Sequence, residues 1–102
     1  MTIEEIKEAI RTRRYIVVFH AFEEAEEDRL HISDVFDSVV HGEVIEDYPN
    51  RKPYPRCLVL GFTENGIPVH TVWEDDKAAG RAVLVTVYRP KAADWLEWRR
   101  RR

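Results

Sequence analysis

The sequence predicts an α+β domain in which helices pack on one face of an antiparallel β-sheet. Helix-period patterns fill most of the stretch before Gly42, and strand-like apolar runs crowd between Glu43 and Arg89. Two of those runs meet at Asn65-Gly66, a pair favoured in tight hairpins. Helices in succession followed by strands in succession give an α+β layout instead of alternating βαβ units.

Thr2-Ile3-Glu4-Glu5 fits a capping box, so a first helix starts there and carries Ile3, Ile6 and Ile10 on one narrow stripe to Arg11. Tyr15 to Phe19 is β-branched and aromatic and too short for a buried helix; it reads as the first strand, ending at His20. Ala21 to Arg29 sets Phe22 and Ala25 against a dense acidic side, which predicts a short amphipathic helix. Ser33 is placed to cap a third helix with Val35, Phe36, Val39 and Val40 on one face, and Gly42 falls where a left-handed C-terminal residue is wanted. Glu43 to Asp47 makes a short strand. Pro49, Pro53 and Pro55 then force an exposed loop that is basic and aromatic. Cys57 to Thr63 and Ile67 to Trp73 form an antiparallel hairpin with a type I′ turn expected at Asn65-Gly66. Arg81 to Arg89 is a near-continuous apolar run suited to a central strand, and Pro90 stops it. Trp95, Leu96 and Trp98 at helical spacing predict a helical tail, after which the arginines at 99–102 repel one another and are expected to be disordered.

Residues 1–102 make a single domain, because 102 residues close one hydrophobic core and a 44% apolar, 11% aromatic composition fills it. No apolar run approaches the roughly 18 residues of a membrane span. The N-terminus is acidic where a signal peptide is basic, and the lone Cys57 has no disulfide partner, so a cytoplasmic protein without membrane contact is expected. Charge is uneven. Between Ala21 and Asn50 ten acids stand against one base, Arg29, leaving −9, while the rest of the chain carries +6. Such a field lets one surface attract an anion while another repels it or meets a basic partner.

Several phrases resemble a bacterial family of unknown function that is grouped by fold with the RelE/ParE-like (BrnT-like, MqsR-like) toxins. They are Phe19-His20-Ala21; Arg29 before Ile32-Ser33; Gly42 to Pro49; Pro55 to Gly61; Ile67-Pro68-Val69-His70; and Val85-Thr86-Val87-Tyr88, together spanning about residues 15–95. The resemblance implies a curved antiparallel sheet carrying two helices, to which the first helix and the tail are additions. It also implies a toxin of a type II toxin–antitoxin pair: a metal-independent ribonuclease (mRNA interferase) without a cofactor, acting on RNA or the ribosome and neutralised by a cognate antitoxin. The alternatives are a non-catalytic protein-binding module of the same fold and a ParE-like toxin that inhibits gyrase without cutting RNA. The acidic segment departs from the basic character of the RNA-cleaving relatives.

Cutting RNA without a metal needs a base for the 2′-hydroxyl, an acid for the leaving oxygen, and cations around the crowded phosphate. His20, Arg29, Tyr54 and Arg56 are the catalytic candidates, with His20 and Tyr54 for proton transfer and the arginines as phosphate clamps. Arg51, Lys52, Thr86, Tyr88 and Arg89 are the RNA-binding candidates. Each has a plain alternative: His20 as a helix cap, Arg29 in a structural ion pair with a nearby acid, Arg56 and Tyr54 in an idle loop, and Thr86 and Tyr88 as core packing. Those last two share one face of their strand, opposite Arg89. His31, His41 and His70 lack metal-ligand spacing, so no zinc site is expected. Cys57 reads as a small buried hydrophobe. No Gly-rich phosphate loop or Gly-x-Ser-x-Gly elbow occurs, which removes nucleotide hydrolysis and the usual serine hydrolases.

Overall fold

A computed structural model describes all 102 residues. In chain order the elements are α1 (Ile3–Arg11), β1 (Tyr15–Val17), α2 (Phe19–Glu27), α3 (Ile32–Val40), β2 (Glu43–Tyr48), β3 (Arg56–Phe62), β4 (Pro68–Asp76), β5 (Arg81–Tyr88), β6 (Trp95–Leu96) and β7 (Arg100–Arg101). Three helices cover one face of a five-stranded sheet ordered β1-β5-β4-β3-β2. No helix is long and apolar enough to cross a membrane.

The sheet is mixed, which corrects the purely antiparallel expectation. β2 to β5 form an antiparallel meander, but β1 runs parallel to β5, with Tyr15 opposite Ala82 and Val17 opposite Leu84. Two helices separate β1 from β2, so no hairpin ties β1 into the meander; it docks where its direction lets Tyr15 and Val17 pack against the core. β1 is shorter than β5 and leaves the far half of that strand without a partner. There α2 substitutes for a strand: Glu24 Oε1 accepts from Val87 N (3.2 Å) and Asp28 Oδ2 from Arg89 N (2.7 Å). Two members of the acidic segment thus satisfy backbone donors that a bare sheet edge would leave free.

The core lies between the helices and the sheet. Ile6, Ala9, Ala21, Ala25, Val35 and Val39 meet Cys57, Val59, Val69, Trp73, Leu84 and Val87. The α1 capping box is present, with Thr2 Oγ1 accepting from Glu5 N and Glu5 Oε1 from Thr2 N. That bond from the Thr2 backbone holds the Glu5 carboxyl below its usual range. Cys57 is fully buried, and desolvation pushes its thiol up to about 11. It is therefore expected to resist iodoacetamide at pH 8 in the native protein and to react in urea; equal rates in both states would contradict its burial.

Local expectations shift at four places. α2 begins at Phe19, because the Val18 carbonyl accepts from Ala21 N and Phe22 N, so His20 lies inside the first helical turn. α3 begins at Ile32 with His31 at its N-cap, and Ser33 falls inside the helix. Gly42 is not left-handed; a Cβ there would lie 2.8 Å from the Leu60 carbonyl oxygen, so its role is close approach of the α3 end to β3. The β3–β4 turn is not type I′: only Gly66 takes positive φ (+81°), and Gly66 N donates to the Thr63 carbonyl. Thr63 Oγ1 accepts from Ile67 N and stabilises this longer turn, which ends in a glycine bulge.

The helical tail is likewise corrected. Residues 95–101 form a hairpin, β6 against β7, turning through Glu97 and Trp98, both left-handed (φ 53° and 65°). Arg99 N closes the turn onto the Leu96 carbonyl. A helix would leave the arginines side by side. The hairpin instead sends Arg99 to Glu43 and Arg101 to Glu46, which relieves their mutual repulsion.

Candidate functional site on the open sheet face

Side-chain alternation assigns the second face of the sheet once Val59, Trp73 and Val87 point into the core. Three rows cross it. The first is Tyr48, Arg56, Glu74, Val83 and Ile16; the second Glu46, Leu58, Val72 and Thr86; the third Glu43, Leu60, His70 and Tyr88. No helix lies on this face. Only the C-terminal hairpin crosses it, over the third row and, through Arg101, onto Glu46 of the second.

In the first row Glu74 gathers two arginines: Arg56 Nε donates to its Oε2 at 3.2 Å, and Arg51 Nη1 from the Pro-rich loop reaches the same oxygen at 3.3 Å. Two guanidiniums against one carboxylate leave a net positive charge with outward-facing donors, a geometry suited to a phosphate. Tyr48, opposite Arg56 on β2, and Tyr54, two residues before Arg56 in the loop, are 44% and 37% exposed, enough ring surface for a base to stack on. Lys52 lies in the same exposed loop and makes no ion pair.

In the second row Tyr48 donates to Glu46 Oε1 at 2.6 Å, and Arg101 forks onto both Glu46 oxygens at 2.9 and 3.1 Å. Burial favours the neutral form of Glu46, but the bonds from Arg101 and Tyr48 outweigh it and hold the carboxyl below its usual range. The same bonds raise the Tyr48 phenol and the Arg101 guanidinium.

In the third row His70 is fully buried. Its Nε2 lies 2.8 Å from the Trp98 carbonyl, which only accepts, so Nε2 carries the proton and Nδ1 accepts from the Tyr88 hydroxyl at 3.1 Å. Desolvation lowers the His70 pKa, and the Trp98 and Glu46 oxygens only partly offset it. Burial also raises the Tyr88 phenol. Because the folded state takes up this proton less readily than the unfolded chain, stability is retained above the ordinary histidine pKa and declines as pH falls below about 6.5. Urea midpoints measured between pH 7.5 and 5.5 should fall with pH in the wild type and stay flatter in His70→Gln; parallel profiles would contradict this.

His20 stands apart from these rows but touches the strand that ends them. Its Nε2 lies 3.4 Å from Glu24 Oε2, and the other oxygen of Glu24 holds Val87 N. The imidazole, 70% exposed, is thus fixed by a carboxylate at the edge of β5, where Thr86 and Tyr88 flank Val87 and point to the open face. Arg29, left-handed at φ 58° in the turn after α2, makes no ion pair, although Glu27 and Asp28 stand near it. It lines a shallow cleft with Glu27, Asp28, Arg89, Pro90 and Lys91.

The structure therefore sorts the sequence candidates into two groups. Arg51 and Arg56 meet at Glu74 on the open face, and Lys52 and Tyr54 are exposed in the loop that leads into β3; His20, Arg29 and Arg89 follow the α2–β5 edge, and Thr86 and Tyr88 lie on β5. Glu46, Glu74, His70, Arg99 and Arg101 were not among the candidates. For the strand residues the available signal was alternation: with Trp73 inward, His70, Val72 and Glu74 share the opposite face. No three His, Cys, Asp or Glu side chains gather closely enough to hold a metal ion.

Comparison with curated proteins and with solved structures finds no match. A family profile described as a domain of unknown function, DUF4258, matches residues 18–89, which hold α2, α3 and the whole β2–β5 meander and exclude α1 and the C-terminal hairpin. The chain belongs to the DUF4258 family.

Proposed function

We propose that the protein is a toxin-like, metal-independent ribonuclease of the RelE/ParE-like kind, cytoplasmic and neutralised by a cognate antitoxin, that works on single-stranded RNA laid across the open sheet face. The observation that carries this reading is the joint placement of the Arg51–Arg56 pair, the exposed Tyr48 and Tyr54, and the His20–Glu24 pair on one sheet and its edge. His20 takes the proton from the attacking 2′-oxygen, which closes a 2′,3′-cyclic phosphate as the P–O5′ bond breaks and the leaving 5′-oxygen takes a proton from solvent water; Glu24 stabilises the imidazolium that forms until it returns its proton to solvent. Arg51, Arg56 and Lys52 grip the phosphates that precede or follow, Tyr54 and Tyr48 stack on bases, and Arg29 and Arg89 hold the strand where it passes the β5 edge. The purified chain, given mRNA and ribosomes in the presence of a chelator, is expected to cut the message. Intact message beside a control nuclease that cuts would end the ribonuclease reading.

A second reading, a protein-binding module, is favoured by the outer helix surface. Glu23, Glu26, Glu27, Asp34 and Asp37 form no ion pairs there, and Phe19 is 77% exposed. A basic partner on that surface would lose affinity when Glu23, Glu26 and Glu27 are changed to lysine, and would leave RNA binding at the open face in place.

A further inference from the structure

Between the end of β5 and the C-terminal hairpin lies a cleft of about 480 Å³, lined by Tyr88, Ala93, Asp94, Trp95, Arg101 and Arg102, a volume within the range of small-ligand sites. A base and an acid stand side by side in it, with Arg102 N donating to the Asp94 carbonyl at 3.0 Å. Arg102 donates through Nε to the carbonyls of Ala92 (2.8 Å) and Trp95 (3.1 Å), which fixes the guanidinium and leaves both Nη groups facing outward. Asp94 has no ion pair, and Arg99 and Arg101 pair instead with Glu43 and Glu46. Trp95 is buried under the Arg101 guanidinium, 4.7 Å from its ring centroid, and stands edge-on to His70. The Tyr88 hydroxyl turns inward to His70 and leaves the ring as a wall.

The hairpin also changes what an anion meets. Without it, Glu43 and Glu46 would repel phosphate; with it, both are neutralised and Arg100 and Arg102 add positive charge. The hairpin lies beyond the family match, and of the residues that line the cleft only Tyr88 falls inside it.

We propose that this cleft binds one ribonucleotide unit. The phosphate sits on the free Nη groups of Arg102, the base packs against the Tyr88 ring, and the ribose hydroxyls donate to Asp94. The proposal rests on the RNA reading above and names one subsite of it.

The probes are adenosine 5′-monophosphate and its 2′-deoxy counterpart, titrated into the full chain and followed by tryptophan fluorescence. Saturable binding of the ribonucleotide is expected, weakened about tenfold in Arg102→Ala by loss of a charge-assisted bond. The deoxy compound should bind less well, and Asp94→Asn should narrow that difference. Absence of saturable binding, or binding that Arg102→Ala leaves unchanged, overturns the proposal. RNA cleavage measured on the same preparations separates the two claims: nucleotide binding without cleavage keeps the cleft and removes the ribonuclease, and cleavage without nucleotide binding does the reverse.

Discussion

Replacing His20 with alanine is expected to slow RNA cleavage by about 10²–10⁴-fold, the usual contribution of a positioned general base. Folding should be unaffected, since the imidazole is 70% exposed and bonds only to Glu24. Glu24→Gln is the informative companion. The amide oxygen can still accept from Val87 N, so the strand edge stays capped while the charge that stabilises the imidazolium is lost. A smaller rate loss than in His20→Ala, at wild-type stability, is the expected pattern. Arg56→Ala should act differently, weakening RNA binding more than turnover and lessening its salt dependence, because a phosphate contact is removed and no proton carrier is touched. Wild-type cleavage by His20→Ala, at equal folded concentration, would remove histidine from the chemistry.

The largest stability effect is expected at Gly61. A Cβ built there would lie 2.0 Å from the Ser38 carbonyl oxygen and 2.5 Å from its carbon, both backbone atoms of α3 that no rotamer change can move aside. Gly61→Ala must therefore push α3 off β3, along with the buried Val35 and Val39 that α3 contributes to the core. A loss of about 3 kcal/mol or more is expected, lowering the urea midpoint by more than about 1 M. Gly80→Ala is the contrasting control: nothing lies within reach of the added carbon, and only the left-handed backbone (φ +66°) is penalised, at about 1 kcal/mol. If the two variants were equally stable, the close approach of α3 to β3 would be wrong.

Where a local pattern decided an element, the sequence was sufficient. The Thr2/Glu5 capping box set the start of α1, and the apolar face of Val35, Phe36 and Val39 identified α3. The apolar run from Ala82 to Val87 identified a strand with neighbours on both sides for part of its length. Where long-range pairing decided, it was not sufficient. Nothing near Tyr15 says that its partner is Ala82, or that their direction is parallel. The tail shows the same limit. Trp95 and Trp98 are three residues apart, as on a helix, yet the buried His70 draws the Trp98 carbonyl and the acids of β2 draw alternate arginines, and these contacts favour a hairpin. Glu24 and Asp28 read as surface charge because the unpaired half of β5 that they cap exists only in the fold. The basic loop candidates were visible as composition. Their meeting with Glu74 depended on knowing which way β4 faces.

Use of the open sheet face as the working surface is tested most directly by a titration of the isotope-labelled chain with a short single-stranded RNA, followed residue by residue by NMR. The predicted result is a set of shifts on Tyr48, Arg51, Tyr54, Arg56, Thr86 and Tyr88, extending to His20 at the β5 edge, with the outer surfaces of α2 and α3 unmoved. Shifts confined to α2 and α3, or no shifts at low salt, would contradict it.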